Sequence, residues 1–102
     1  MFHRRKKVNM IEWMQNWYAS HCDGYWEHLH GFKINNTDNP GWSVFVDIID
    51  TSLENKPFIK IQYDNSETDW LFCNIKDGVF HGAGGSSKLE EILLIFKDWA
   101  ES

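Results

Sequence analysis

Positive charge is scarce in most of this chain. Arg4, Arg5, Lys6 and Lys7 stand together at the amino end. Beyond them six Lys or Arg face fifteen Asp and Glu, so residues 8–102 carry a net −9. A body of that sign repels nucleic acid and favours a basic partner. Long apolar runs are missing too, and none approaches the ~20 residues that a membrane span needs. The basic start is not followed by the apolar run of a signal peptide, because Glu12, Gln15 and Asn16 interrupt it. The expected location is therefore the cytoplasm. Cysteine is limited to Cys22 and Cys73, which are expected to be free thiols in a reducing compartment. No CxxC pair occurs, and neither His28–His30 nor His21–Cys22 has a usual zinc-ligand spacing, so no metal and no cofactor is expected. The stretch Gly82-Ala83-Gly84-Gly85-Ser86-Ser87 lacks a GK[ST] ending and the full dinucleotide fingerprint. Glu90 and Glu91 just after it would repel a phosphate. It reads as a tight strand-to-helix connection.

Aromatic residues, by contrast, are abundant: six Trp and seven Phe in 102 residues. Large rigid side chains build a core from few positions and also anchor interfaces. Residues 1–8 read as a flexible basic arm, and residues 9–102 as one domain. Asn9 is a candidate N-cap for a helix in which Met10, Trp13, Met14, Trp17, Tyr18 and His21 share one face. Asp23-Gly24 then turns the chain. Strands are expected over Tyr25–Asn35, Trp42–Asp50, Phe58–Tyr63, Trp70–Lys76 and Val79–Ala83. Asp38-Asn39-Pro40-Gly41, Asp64–Glu67 and Asp77-Gly78 supply the turns between them. Ser87 and Glu90 form a capping box for a last helix with Leu89, Ile92, Leu93, Phe96 and Trp99 along its apolar stripe. Short connections predict an α+β domain: a mostly antiparallel meander of about five strands, with both helices on one face.

Strand alternation divides the sheet residues. Val44, Val46, Ile48, Ile59, Ile61, Leu71, Cys73 and Ile75 form an aliphatic face suited to the helices. Phe45, Phe58, Trp70, Phe72 and Phe80 would then share the other face with Asp47, Lys60, Gln62 and Asn74. A face that mixes aromatics with polar groups can receive a partner. It can equally be covered by loops or by the basic arm.

The run His21-Cys22-Asp23-Gly24-Tyr25-Trp26-Glu27-His28-Leu29-His30 gathers histidines, a thiol and carboxylates. Chemistry at Cys22 would need a base and an orienting group. Side chains of adjacent residues at a helix end diverge, and no triad is evident, so a helix end, a turn and a strand on which Trp26 and His28 share a face is the expected reading. No catalytic residue is assigned. Cys73, between Leu71 and Ile75, reads as a small buried hydrophobe. A small cysteine/histidine enzyme and a stand-alone ligand-binding domain remain the alternatives to a protein-binding role.

Several segments taken in order resemble the immunity protein 53 family of bacterial polymorphic toxin systems. They are Trp13 with Trp17-Tyr18, Cys22-Asp23-Gly24, Trp26-Glu27-His28 and Asp38-Asn39-Pro40-Gly41-Trp42-Ser43. Asp77-Gly78-Val79-Phe80, Gly82-Ala83-Gly84-Gly85 and Leu89-Glu90-Glu91-Ile92-Leu93 with Phe96 and Trp99 continue the pattern. The resemblance implies a cytoplasmic protein that binds and neutralises a cognate toxin by protein–protein contact. Against a nuclease, acidic groups would imitate the phosphates such a toxin binds. The candidate toxin-binding residues are Asp23, Glu27, Asp38, Asp47, Asp50, Asp64, Glu67 and Asp69, with Phe45, Trp70 and Phe72 as apolar anchors.

Overall fold

The computed structural model describes residues 9–102; the basic arm of residues 1–8 lies outside the described residues. The first helix, α1 (Met10–His21), starts where Asn9 accepts a hydrogen bond from the Glu12 amide at 3.0 Å. That bond satisfies an amide which a helix start leaves without a partner. Next comes a feature that alternation did not predict. Instead of a strand from Tyr25, residues Trp26–Leu29 form a short helix, α2. The Asp23 carboxylate accepts from the amides of Tyr25 and Trp26, both at 2.9 Å. The Glu27 carboxylate accepts from the amides of Asp23 and Gly24, at 2.9 and 2.8 Å. These reciprocal side-chain bonds favour a helical turn over an extended chain. Trp26 and His28 therefore do not share a strand face.

Five strands follow: β1 (Phe32–Thr37), β2 (Gly41–Asp47), β3 (Ile61–Asp64), β4 (Trp70–Lys76) and β5 (Val79–Gly85). β2 ends before the expected Asp50, which turns the chain with a positive φ of 60°. β3 is shorter than expected, because Phe58–Lys60 stay outside it. The glycines of 82–85 belong to β5 and are not a connection after it. All strand neighbours are antiparallel, in the order β1-β2-β5-β4-β3. The sheet is thus not a simple meander. The chain leaves β2, crosses to the far edge through residues 48–60, and inserts β5 last, between β2 and β4.

The final helix, α3 (Leu89–Glu101), lies on the same side as α1. Its expected capping box does not form: Lys88 occupies the cap position without a side-chain bond there. The Lys88 ammonium instead pairs with Asp69 at 2.8 Å, tying α3 to the turn before β4. Ile92, Leu93 and Phe96 of α3 join Met10 and Met14 of α1 over Val44, Val46, Leu71, Cys73 and Phe80, all buried. A Cβ at Gly82 would run into the Ile92 side chain, so this glycine sets how closely α3 approaches the sheet.

Two face assignments need correction. Phe80 is fully buried under the helices, because the Asp77-Gly78 turn (φ 55° and 76°) pairs it with Ile75 on one side and the register pairs it with Val46 on the other. Phe58 meets Phe80 and Trp99 edge-on, at 5.8 and 5.4 Å between ring centres, and is part of that same packing. Conversely, Ile59 precedes the strand and is 87 % exposed, whereas Ile61 pairs with Cys73 on the helix side and is 37 % exposed at the sheet edge. Trp17 is only partly buried, against Phe96 and Trp26.

Candidate functional site

The helices leave one sheet face uncovered. Alternation and register set its rows. Lys33, Phe45, His81 and Asn74 form one row across β1, β2, β5 and β4; Asn35, Ser43, Ala83, Phe72 and Gln62 form the next across all five strands. The His81 ring lies parallel to Phe45, 4.4 Å between centres, and meets Phe72 edge-on at 5.6 Å. Burial in this stack holds the imidazole below its ordinary protonation range. His81 was not singled out from the sequence. The two-residue Asp77-Gly78 turn carried the signal, because it fixes His81 opposite Asn74.

Two concavities flank the stack. One, of about 930 Å³, lies where the β1–β2 and β3–β4 turns close over the end of the sheet. Asp64, Glu67, Trp70 and Phe72 line it, with Asn39, Gln62 and Asn65. Among the described residues that line it there is no Lys or Arg. Carboxylates beside an indole suit a guanidinium or ammonium group on an apolar stem. The second, of about 660 Å³, brings together Glu27, His28, His30, Lys33, Phe45 and Asp47.

The eight acidic candidates differ in what already occupies them. Asp23 and Glu27 accept backbone amides at the start of α2, and both carboxyls are held below their usual range. For Asp23 the Trp26 and Tyr25 amides do this; for Glu27 it is its own amide, with those of Asp23 and Gly24. Asp47 accepts the Gly31 amide at 3.0 Å and stands 3.9 Å from the His30 ring. Asp69 is held below its usual range by Lys88 and Asn65, and the same contact raises the Lys88 ammonium. Asp50 sits in the turn after β2, and Asp38 in the turn after β1, next to the groove-lining Asn39. Asp64 and Glu67 are exposed and line the larger groove; no ion pair joins either to another described residue.

The histidine- and thiol-rich run is a packing hub. The Trp26 indole donates to the Ile49 carbonyl at 2.9 Å and is ringed by Trp17, Tyr18, His21 and His30. Burial lowers the His21 imidazole. The Cys22 thiol lies 3.4 Å from the Tyr18 carbonyl, as a donor to it. Cys73 is buried, its thiol pushed up to about 12. Among the described residues no group of three or more His, Cys, Asp or Glu is placed to hold a metal ion. Nor is any of their helices long and apolar enough to cross a membrane.

The structure thus defines a two-layer α+β domain with an aromatic, acid-rimmed sheet face that the other described residues leave open. The chain belongs to the immunity protein 53 family, whose model matches residues 11–101. No curated protein and no solved structure matched it.

Proposed function

We propose that this protein acts in the cytoplasm of its producer by binding and neutralising a cognate toxin, with the open sheet face as the contact surface. Family membership supports the immunity role. The observation that carries the choice of surface is the groove beside Trp70 and Phe72, with Asp64 and Glu67 at its rim and no cation among the described residues that line it. Its chemistry suits a basic side chain of the toxin. The Phe45–His81–Phe72 stack next to it offers the flat apolar area that anchors an interface. Contact rather than catalysis fits the two thiols, one buried and one beside a backbone carbonyl. If the toxin is a nuclease, the groove carboxylates stand where its phosphate-binding cations would meet them.

The test is co-expression with the toxin encoded beside this protein, joined to binding kinetics on purified, folded variants. Trp70→Ala and Phe72→Ala are expected to speed dissociation, by about 2 kcal/mol or more for an anchor. Asp64→Lys and Glu67→Lys are expected chiefly to slow association and flatten its salt dependence. Full protection by all four variants removes this surface from consideration. A wild type that neither binds nor protects removes the immunity role in this pairing.

A further inference from the structure

The two edges of the sheet are not alike. At the β3 edge the Asn65 amide bonds to the Asp69 carbonyl at 2.9 Å, continuing the register in which Tyr63 lies opposite Leu71 and Ile61 opposite Cys73. Bonded pairs alternate along an antiparallel ladder. Ile61 and Tyr63 therefore bond to β4, while Gln62 and Asp64 turn their backbone N–H and C=O groups outward; Lys60 lies one residue before the strand. An outward row of this kind is a template for another strand.

We infer that two copies of this chain pair through β3, antiparallel, about a two-fold axis at Gln62. Gln62 then faces its own counterpart, and Lys60 of each copy lies directly opposite Asp64 of the other. Asp64 shares the open face with Gln62, and pairing that extends β3 by one residue brings Lys60 to the same face, so this register creates two cross-strand ion pairs. On the helix side Ile61 meets Tyr63. The same pairing brings cover to a mostly apolar groove of about 440 Å³ lined by Phe58, Ile59, Ile61, Ile95 and Trp99, with Asp98 as its one charged residue. Shifting the axis by one residue sets Lys60 against Gln62 and loses both ion pairs. At the other edge β1 carries Lys33 as its one charged residue, so no two-fold register there matches opposite charges. The inference does not depend on the toxin, although self-pairing and the larger groove draw on the same Asp64 carboxylate.

Sedimentation equilibrium of the full chain tests this without a toxin present. The expected mass rises from 12.1 kDa towards twice that value with concentration. Lys60→Asp and Asp64→Lys each place like charges opposite one another in both pairs and should weaken self-association about tenfold. Mixed one to one, the two variants match opposite charges again and should associate as tightly as wild type. Gln62→Pro removes an outward N–H while leaving the bonds to β4, and should also dissociate the dimer with an unchanged circular dichroism spectrum. Persistent monomers in the wild type overturn the proposal and make Lys60 a guard against edge pairing. So does a dimer that ignores these substitutions, or a mixture that fails to recover.

Discussion

On the helix-covered face Val44, Val46, Leu71, Cys73 and Phe80 are at most 1 % exposed. One residue along the same strands, Phe45, Phe72 and His81 keep contact with solvent. Both faces hold aromatic rings, so residue type does not separate them. What separates them is enclosure. Phe80 is packed from above by Phe96, 5.1 Å between ring centres, and laterally by Phe58. Phe45 has the parallel His81 ring beside it and is 37 % exposed. The covered face therefore contributes to folding free energy, and the open face retains apolar area that association could still remove from water.

The largest test of that contrast is to truncate one ring on each side. Phe96→Ala should cost about 3–5 kcal/mol of unfolding free energy, from lost transfer and a residual cavity. Phe45→Ala should cost no more than about 1 kcal/mol. Urea titrations measure both, and equal losses would mean the open face is folded against something. A smaller effect is expected from backbone spacing. Gly82→Ala pushes a methyl against Ile92 and should cost about 1–3 kcal/mol. Ala83→Gly, its neighbour on the open face, should lose only about 0.5–1 kcal/mol, through chain entropy.

Smaller still is the pH response. Burial lowers the His81 imidazole, so the unfolded chain takes up that proton more readily than the folded one. Stability then declines as pH falls below about 6.5, until the lower folded value is passed. His81→Gln should remove part of this slope in melting temperature against pH. The remainder belongs to His21, lowered by the same cause. The decline over the carboxylate range should persist in the variant, because it arises from Asp23, Glu27, Asp69 and Glu101, whose pKa values are depressed. Thiol labelling gives the contrast without energetics. The exposed Cys22 should react in the native protein, and Cys73, buried and pushed up to about 12, only after unfolding. Two reactive thiols in the native state would contradict the burial of the covered face.

The sequence made the long periodic elements legible. α1, β4 and α3 follow from apolar spacing, and the β4–β5 hairpin from Asp77-Gly78. Phe80 was placed on the wrong face although that same turn fixes its parity opposite Ile75. The α2 helix was hidden for another reason: its apolar spacing of Trp26 and Leu29 is too short to register as periodicity. Its cause lies in the Asp23 and Glu27 carboxylates bonding back to the chain. Those bonds also fix the orientation of two of the proposed partner contacts, Asp23 and Glu27. The larger groove was out of reach because it needs the β1–β2 and β3–β4 turns side by side. That neighbourhood comes from the strand order, and strand order is decided by non-local pairing.

The position of β5 has a bearing on how the protein is made. The β1–β2 and β3–β4 hairpins share no ladder with each other; within the sheet each is joined to the other only through β5. A lone two-stranded ribbon is marginal in water. During synthesis both ribbons must wait until residues 79–85 have cleared the ribosome before a sheet can close. A chain interrupted before Val79 would leave two unstable ribbons and an unanchored α1, a natural substrate for proteolysis. Translation therefore offers no partly useful product: the surface formed by five strands arrives in one late step.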